Sequence, residues 1–195
     1  MSLSSYAPRF KLKHSVWDSP IGPLGLVTRN DRLAQIALHA DPASFSFEVE
    51  RMFGSAGNRD DASFKDIRQQ IEEYLAGRRL VFRLPLDIDL GTPFQRRVWK
   101  ALMGIPYAQT MTYRDVAAAI GQPSATRAVG GANGMNPLPI VIPCHRVVAS
   151  DGLGGYSGGF KTKKRLLELE AKTRARVASL GMFSNDSYGN SPLHP

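Results

Sequence analysis

Cysteine is nearly missing from this chain: Cys144 is alone among 195 residues. One thiol excludes an internal disulfide and any zinc site built on several cysteines, and it suits a reducing compartment. Long apolar runs are missing as well. Hydrophobic residues make up 43% of the chain, enough for a packed core, yet no run approaches the ~20 residues needed to cross a bilayer. Met1-Ser2-Leu3-Ser4-Ser5 lacks the charged region and apolar stretch of a secretory leader. Of the few histidines, His14 and His39 have no partners at metal-ligand spacing and read as surface or structural residues.

Acidic residues are scarce in one half only. Residues 1–90 carry 12 Lys/Arg against 12 Asp/Glu, whereas residues 91–178 carry 13 against 4. A basic half beside a neutral half points to a polyanion partner on one module; on charge alone, a merely basic soluble protein is the competing reading. The length fits one large or two small domains. We expect an N-terminal scaffold over 1–90, a C-terminal functional module over 91–178 and a disordered tail over 179–195, its most polar part Ser184 to Pro195.

Residues 12–38 alternate apolar and polar positions between turn signals at Asp18-Ser19-Pro20-Ile21-Gly22-Pro23 and Asn30-Asp31, which predicts an antiparallel meander. Asp41-Pro42 should open a helix running to about Phe53. Gly54 to Asp61 reads as a polar loop. A longer helix is expected over Ser63–Ala76, with Phe64, Ile67, Ile71, Tyr74 and Leu75 on one stripe and Gly77 as its stop. Leu80–Leu84 reads as a further strand. Nothing in this half forms a catalytic constellation.

In the basic half, Thr92-Pro93 reads as N-cap and first helical position, with Phe94, Val98, Trp99 and Leu102 as a core stripe. Thr112 should cap a second helix that closes at Gly121, with Asp115 suiting its N-terminal dipole. Gln122-Pro123 makes the turn, and Ser124 should cap a third helix through about Asn133. Helix, turn, helix is a DNA-binding pattern as well as a common packing unit. The last of these helices is nearly bare: Ala125, Ala128, Gly130, Gly131 and Ala132 leave Arg127 as the one long cation. Glycine inside a helix costs about 1 kcal/mol relative to alanine. Such a run therefore implies close approach of another backbone, either within the molecule or in a nucleic-acid groove.

Cys144 follows, inside Ile140-Val141-Ile142-Pro143-Cys144-His145-Arg146-Val147-Val148. A thiol in an apolar run is ordinarily a small hydrophobe. Here His145 and Arg146 follow directly and can favour the thiolate, and Pro137, Pro139 and Pro143 argue against an ordinary helix or central strand.

Pro143-Cys144-His145-Arg146-Val147 resembles the active-site signature of the O6-alkylguanine-DNA alkyltransferases (methylated-DNA–protein-cysteine methyltransferases). Arg127-Ala128-Val129-Gly130-Gly131-Ala132 and Asn136-Pro137 lie upstream at that family's spacing, and Gly155-Tyr156-Ser157-Gly158-Gly159 lies downstream. The similarity is close over about residues 91–172 and loose before them. It implies a mixed α/β (α+β) fold: a small antiparallel sheet with helices, ribonuclease-H-like, then a mostly helical, winged-helix-like domain with a helix-turn-helix.

The resemblance also implies roles. Cys144 would take an alkyl group from O6-alkylguanine, and O4-alkylthymine is left open as a further substrate. His145 would serve as base through a water, Glu170 would orient it, and Asn136 would brace the turn. Tyr113, Arg127, Ala128, Gly130 and Gly131 would meet double-stranded DNA, with Tyr113 crowding the phosphate and Arg127 filling the gap left by a flipped nucleotide. Tyr113, Pro139, Val147, Tyr156 and Ser157 would form the pocket. A thioether product has no good leaving group, so one transfer per molecule is expected. The resemblance implies no metal, no organic cofactor and no membrane partner. It suggests a monomer, with cooperativity on DNA open, in a bacterial-type cytosol or a eukaryotic nucleus. A lesion sensor without transfer, a helix-turn-helix regulator and a cysteine hydrolase are the competing functions. The first lacks a nucleophile in such relatives, the second leaves Cys144 and the pocket unexplained, and the third needs a distant histidine that is poorly supplied.

Overall fold

The computed structural model describes residues 10–180. Three strands, β1 (Leu12–Ser19), β2 (Gly22–Arg29) and β3 (Arg32–Leu38), form the expected antiparallel meander. The β2–β3 turn is tight because Asn30 and Asp31 both take the left-handed conformation, at φ 52° and 60°, which short polar side chains tolerate. A two-residue strand, β4 (Asn58–Arg59), adds in parallel to β1 and gives the order β3-β2-β1-β4. It lies in the segment expected to be wholly loop.

Helix α1 (Phe45–Phe53) begins three residues after Pro42, since the Asp41 side chain first holds the Ala43 amide in a local turn. A 3-10 turn over Asp61–Phe64 leads into α2 (Lys65–Leu75), and Gly77 breaks it at φ 64°. The strand expected over Leu80–Leu84 does not form. The Gln70 side chain accepts from the Arg83 amide (2.9 Å) and donates to the Arg83 carbonyl (3.2 Å). Those backbone groups are thereby satisfied without a ladder. The chain meets the edge of β3 only afterwards, where Leu33 exchanges backbone hydrogen bonds with Pro85 and Asp87.

Helix α3 (Pro93–Met103) opens with a capping box between Thr92 and Gln95, and α4 (Tyr113–Ala119) with another between Thr112 and Asp115. Gly121, at φ 72°, closes α4. Helix α5 (Thr126–Gly134) starts later than expected: its N-cap is Ala125, no side chain caps it, and Ser124 does not serve. Parallel strands β5 (Met111–Thr112) and β6 (Val147–Val148) brace the helix-turn-helix against the segment after Cys144. Helix α6 (Gly159–Ser179) crosses back over both halves. Ser179, assigned to the tail by the sequence, still belongs to α6; residues 181–195 lie outside the described residues.

One hydrophobic cluster runs through the whole molecule. Leu24, Leu33 and Ile36 of the sheet and Ile71 of α2 join Trp99 and Leu102 of α3, Val116 of α4, Val129 of α5 and Leu166 of α6. Trp99 is 2% exposed and donates its indole N–H to the Ala132 carbonyl at 2.8 Å, so it is a core residue that ties α3 to α5. Among the described residues no helix is long and apolar enough to cross a membrane. Because α4 is short, its cap carries a large share of its order. Thr112→Ala should lower unfolding free energy by about 1 kcal/mol in urea titrations, and an unchanged midpoint would show that the box is idle.

Candidate active site

The segment before Cys144 is an irregular turn held by one side chain. Asn136 Nδ2 donates to the Ile142 carbonyl at 2.8 Å, and its Oδ1 accepts from the Leu138 amide at 3.0 Å. Between them Ile140 sits at φ 78°, a conformation that a β-branched residue adopts only under constraint. The turn delivers Cys144 to the start of a single 3-10 turn, Cys144–Arg146, with all three side chains buried.

Cys144 is 1% exposed. Burial pushes its thiol up to about 11, against the pull of the Asn136 amide, the backbone amides of Cys144 and His145, and the Lys163 charge. At neutral pH the resting side chain is therefore a thiol. His145 is fully buried, and its Nε2 lies 2.9 Å from Glu170 Oε1. Burial pulls the imidazole below its ordinary range more than Glu170 lifts it, so the ring is neutral. Among the described residues, no hydrogen bond joins the ring to Cys144, and its Nδ1 is buried without a protein partner.

Glu170 departs from the solvated helix position that its surrounding sequence suggests: it is 0% exposed. Arg146 contacts both carboxylate oxygens through Nε (3.1 Å each) and Oε1 through NH2 (2.9 Å), while the Ala108 amide donates to Oε2 at 2.9 Å. Burial alone would raise this carboxyl; hydrogen bonds from His145 and Arg146, with the Arg146 charge, hold it at about 2.

Two residues of this centre have no counterpart in the sequence reading. Lys163 lies in the cationic run Lys161–Arg165 and is 0% exposed. Its Nζ donates to the Val147 carbonyl at 2.6 Å and the Gly155 carbonyl at 3.1 Å, joining β6 to the glycine-rich loop. The available signal was helical register, since Lys163 shares the buried face of α6 with Leu166, Glu170 and Thr173. Tyr74 of α2 reaches across from the other half, and its hydroxyl donates to Glu170 Oε1.

The remaining candidates surround the thiol. Tyr113 and Tyr156 both lie close enough for a Cys144 thiolate to raise their phenols, although burial is the larger cause. The Tyr113 hydroxyl donates to the Gly155 carbonyl at 3.4 Å, and the Tyr156 hydroxyl is buried without a protein partner. Ser157 is exposed at the loop rim. The Val147 carbonyl is engaged by Lys163. Pro139 and Ser157 line a cavity of about 470 Å³ whose walls do not include Cys144, Tyr113, Val147 or Tyr156, so the predicted pocket residues do not all share this cavity.

On α5, Arg127, Ala128, Gly131, Gly134 and Met135 form one exposed face, and Gly130 is half-buried. A Cβ on Gly131 or Gly134 would meet nothing within 4 Å, and one on Gly130 only the Tyr113 ring at 4.0 Å. Among the described residues, then, no neighbour requires these glycines.

Comparison with known proteins matches both halves. Residues 12–88 match the family model described as 6-O-methylguanine DNA methyltransferase, ribonuclease-like domain, and residues 93–172 match its DNA binding domain. The methylated-DNA–protein-cysteine methyltransferase of Mycobacterium tuberculosis is 44% identical over 167 residues, 85% of this chain and 95% of that protein. The constitutive methylated-DNA–protein-cysteine methyltransferase of Bacillus subtilis is 40% identical over 156 residues, 78% of this chain and 92% of that one. Among solved structures, Mycobacterium tuberculosis OGT in complex with DNA superposes with a TM-score of 0.73 at 40% identity, covering 83% of this chain and 94% of that one.

A thiol held at about 11 has a specific consequence. At pH 8, iodoacetamide should modify Cys144 at least about tenfold more slowly than it modifies an unstructured cysteine peptide. The rate should climb through pH 9.5 without levelling; a plateau below pH 8 would contradict the buried neutral thiol.

Proposed function

The chain belongs to the 6-O-methylguanine DNA methyltransferase family, and we propose that it repairs DNA by moving the alkyl group of O6-alkylguanine onto Cys144, once per molecule. The observation that carries this reading is the alignment behind the sole cysteine: a neutral, buried imidazole with one free nitrogen, held by a carboxylate that is itself fully satisfied.

The chemistry follows from those groups. In a direct displacement a bond forms from Cys144 Sγ to the alkyl carbon as the bond from that carbon to guanine O6 breaks. The thiol proton leaves through His145 Nδ1, bridged by a water, and guanine takes up one proton as it departs. Thiolate is the competent nucleophile, and a resting thiol at about 11 is unreactive toward stray electrophiles. Activation is thus confined to the moment when substrate fills the pocket. Lys163 contributes fixed positive charge near the sulfur and holds the pocket loop against β6.

The buried thiol cannot reach a base within the stack, so the nucleotide must rotate out, at a cost of a few kcal/mol. The open glycine face of α5 fits close approach to a groove, with Arg127 as the exposed cation that fills the vacated space and Tyr113 at the pocket mouth. Asn136 braces the cysteine turn, and Pro139, Val147, Tyr156 and Ser157 frame the base. We assign these roles within a C-terminal module of residues 91–178 and read residues 1–90 as the supporting module, the protein acting on double-stranded DNA as a monomer in the cytosol.

Mixing the protein with one equivalent of an O6-methylguanine duplex should add one methyl group in place of one hydrogen, mapped to Cys144 by intact-mass and peptide spectra. Cys144→Ala should bind the duplex and gain nothing; methyl transfer by that variant would sink the assignment. Arg127→Ala should slow repair in duplex DNA by about tenfold or more while leaving reaction with free O6-methylguanine base nearly unchanged. Equal losses on both substrates would remove Arg127 from nucleotide flipping.

A further inference from the structure

Tyr74 sits on the core stripe of α2 with Ile67 and Ile71, and its ring packs against Phe82 at 5.2 Å and edge-on to Tyr107 at 6.0 Å. Phenylalanine would fill that space. The hydroxyl is what a packing role leaves unexplained, because a buried hydroxyl costs free energy unless it is used. Here it donates to Glu170 Oε1 and its oxygen lies 3.2 Å from His145 Nε2.

We propose that Tyr74, supplied by the N-terminal half, is a positioning residue of the proton relay: together with Glu170 it fixes which imidazole nitrogen of His145 carries the proton, and it tempers the carboxylate behind it. This rests on the alkyl-transfer function argued above.

The tautomer follows from lone pairs. With its O–H directed at Glu170, the Tyr74 oxygen presents lone pairs to His145 Nε2. Glu170 Oε1 faces the same nitrogen at 2.9 Å. Two acceptors can be satisfied only if Nε2 bears hydrogen; an unprotonated Nε2 would set three lone-pair bearers against one another. Nδ1 is thereby left as the basic nitrogen, and it is the one without a protein partner.

The tempering follows from donor count. Glu170 Oε1 accepts from Tyr74, His145 and Arg146 at once. Each donor lowers the carboxylate's appetite for the imidazole proton. Losing the Tyr74 hydroxyl leaves a stronger acceptor on Nε2, which favours the imidazolium and raises the His145 pKa. The other groups around the ring are Arg146 on its own turn, Glu170 and Lys163 on α6, Cys144 before it, and Tyr156 on the pocket loop, with ring centroids 6.4 Å apart. Tyr107 faces Tyr74 and Arg146. Tyr74→Phe removes none of these groups and changes only the hydrogen bonding of Glu170 and His145.

The test is the single-turnover rate of methyl transfer from a saturating O6-methylguanine duplex, measured from pH 5 to 9 for wild type and Tyr74→Phe, with duplex affinity measured beside it. The acid limb should move up by about half a pH unit and the plateau rate fall by about three- to tenfold, at unchanged affinity. Superimposable profiles, or a lower rate with the acid limb unmoved, would reduce Tyr74 to packing and overturn the inference. Nitrogen-15 shifts of His145 in the wild-type protein test the tautomer without any variant: protonated Nε2 with bare Nδ1 is expected, and the reverse would overturn it. Wild type that transfers no methyl group would overturn the function itself, and with it this role; wild type that transfers with an unmoved Tyr74→Phe profile would overturn the role alone.

Discussion

The Glu170 carboxylate is the constraint on which the rest of this molecule is arranged. An ionised carboxylate taken fully out of water is prohibitively costly unless every lone pair finds a donor. Those donors come from three separate parts of the chain: Tyr74 on α2, the Ala108 amide between α3 and β5, and His145 with Arg146 on the cysteine turn. Arg146 is bound in turn by the Ile105 carbonyl at 2.7 Å. Satisfying one buried charge therefore fixes the cysteine turn against α2, α6 and the segment that follows α3. The geometry behind the thiol is a by-product of that requirement.

The same burial explains a tension in the nucleophile. A reactive cysteine usually sits in an electropositive, open setting that lowers its pKa. Cys144 has the positive neighbours but lacks the opening, and desolvation wins. Lys163 and the backbone amides limit the penalty without reversing it. Held as a thiol, the sulfur is a weak nucleophile at neutral pH, so its reactivity depends on a base that can take its proton. Backbone strain at Ile140 belongs to the same economy of position: Asn136 holds both ends of the turn, so the isoleucine has no relaxed alternative.

Much of this was legible in the sequence, and the reasons for what was not are physical. Local rules worked where local groups decide the outcome: the capping boxes at Thr92 and Thr112, the stops at Gly77 and Gly121, the turn at Asn30-Asp31. They failed where a distant side chain intervened. Gln70 satisfies the Arg83 backbone and removes the need for a strand, and β4, β5 and β6 are two-residue pairings that no periodicity can announce. Ser124 has the right chemistry for a cap, but α5 begins one residue too late to use it. In the site, residues carried by the motif around Cys144 could be named in advance. Lys163 was hidden by a run of like charges, and Tyr74 by an apolar stripe in which a hydroxyl looks incidental.

That last failure bears on how the two halves relate. The N-terminal half reads as a scaffold because it holds no nucleophile, base or metal-ligand set. Yet a scaffold that merely packs would meet the other half through apolar side chains, as Leu33, Ile36 and Ile71 do within the shared cluster. Tyr74 meets it through a hydrogen bond to the one carboxylate that organises the reactive turn. Apolar contacts tolerate small slides between surfaces, since their energy varies gently with displacement. A hydrogen bond to a buried charge does not, because a shift of an ångström leaves both groups unsatisfied. The polar contact therefore holds this part of the interface to a definite register, alongside the backbone bond from the Ile36 amide to the Pro137 carbonyl, while the hydrophobic cluster supplies most of the adhesion.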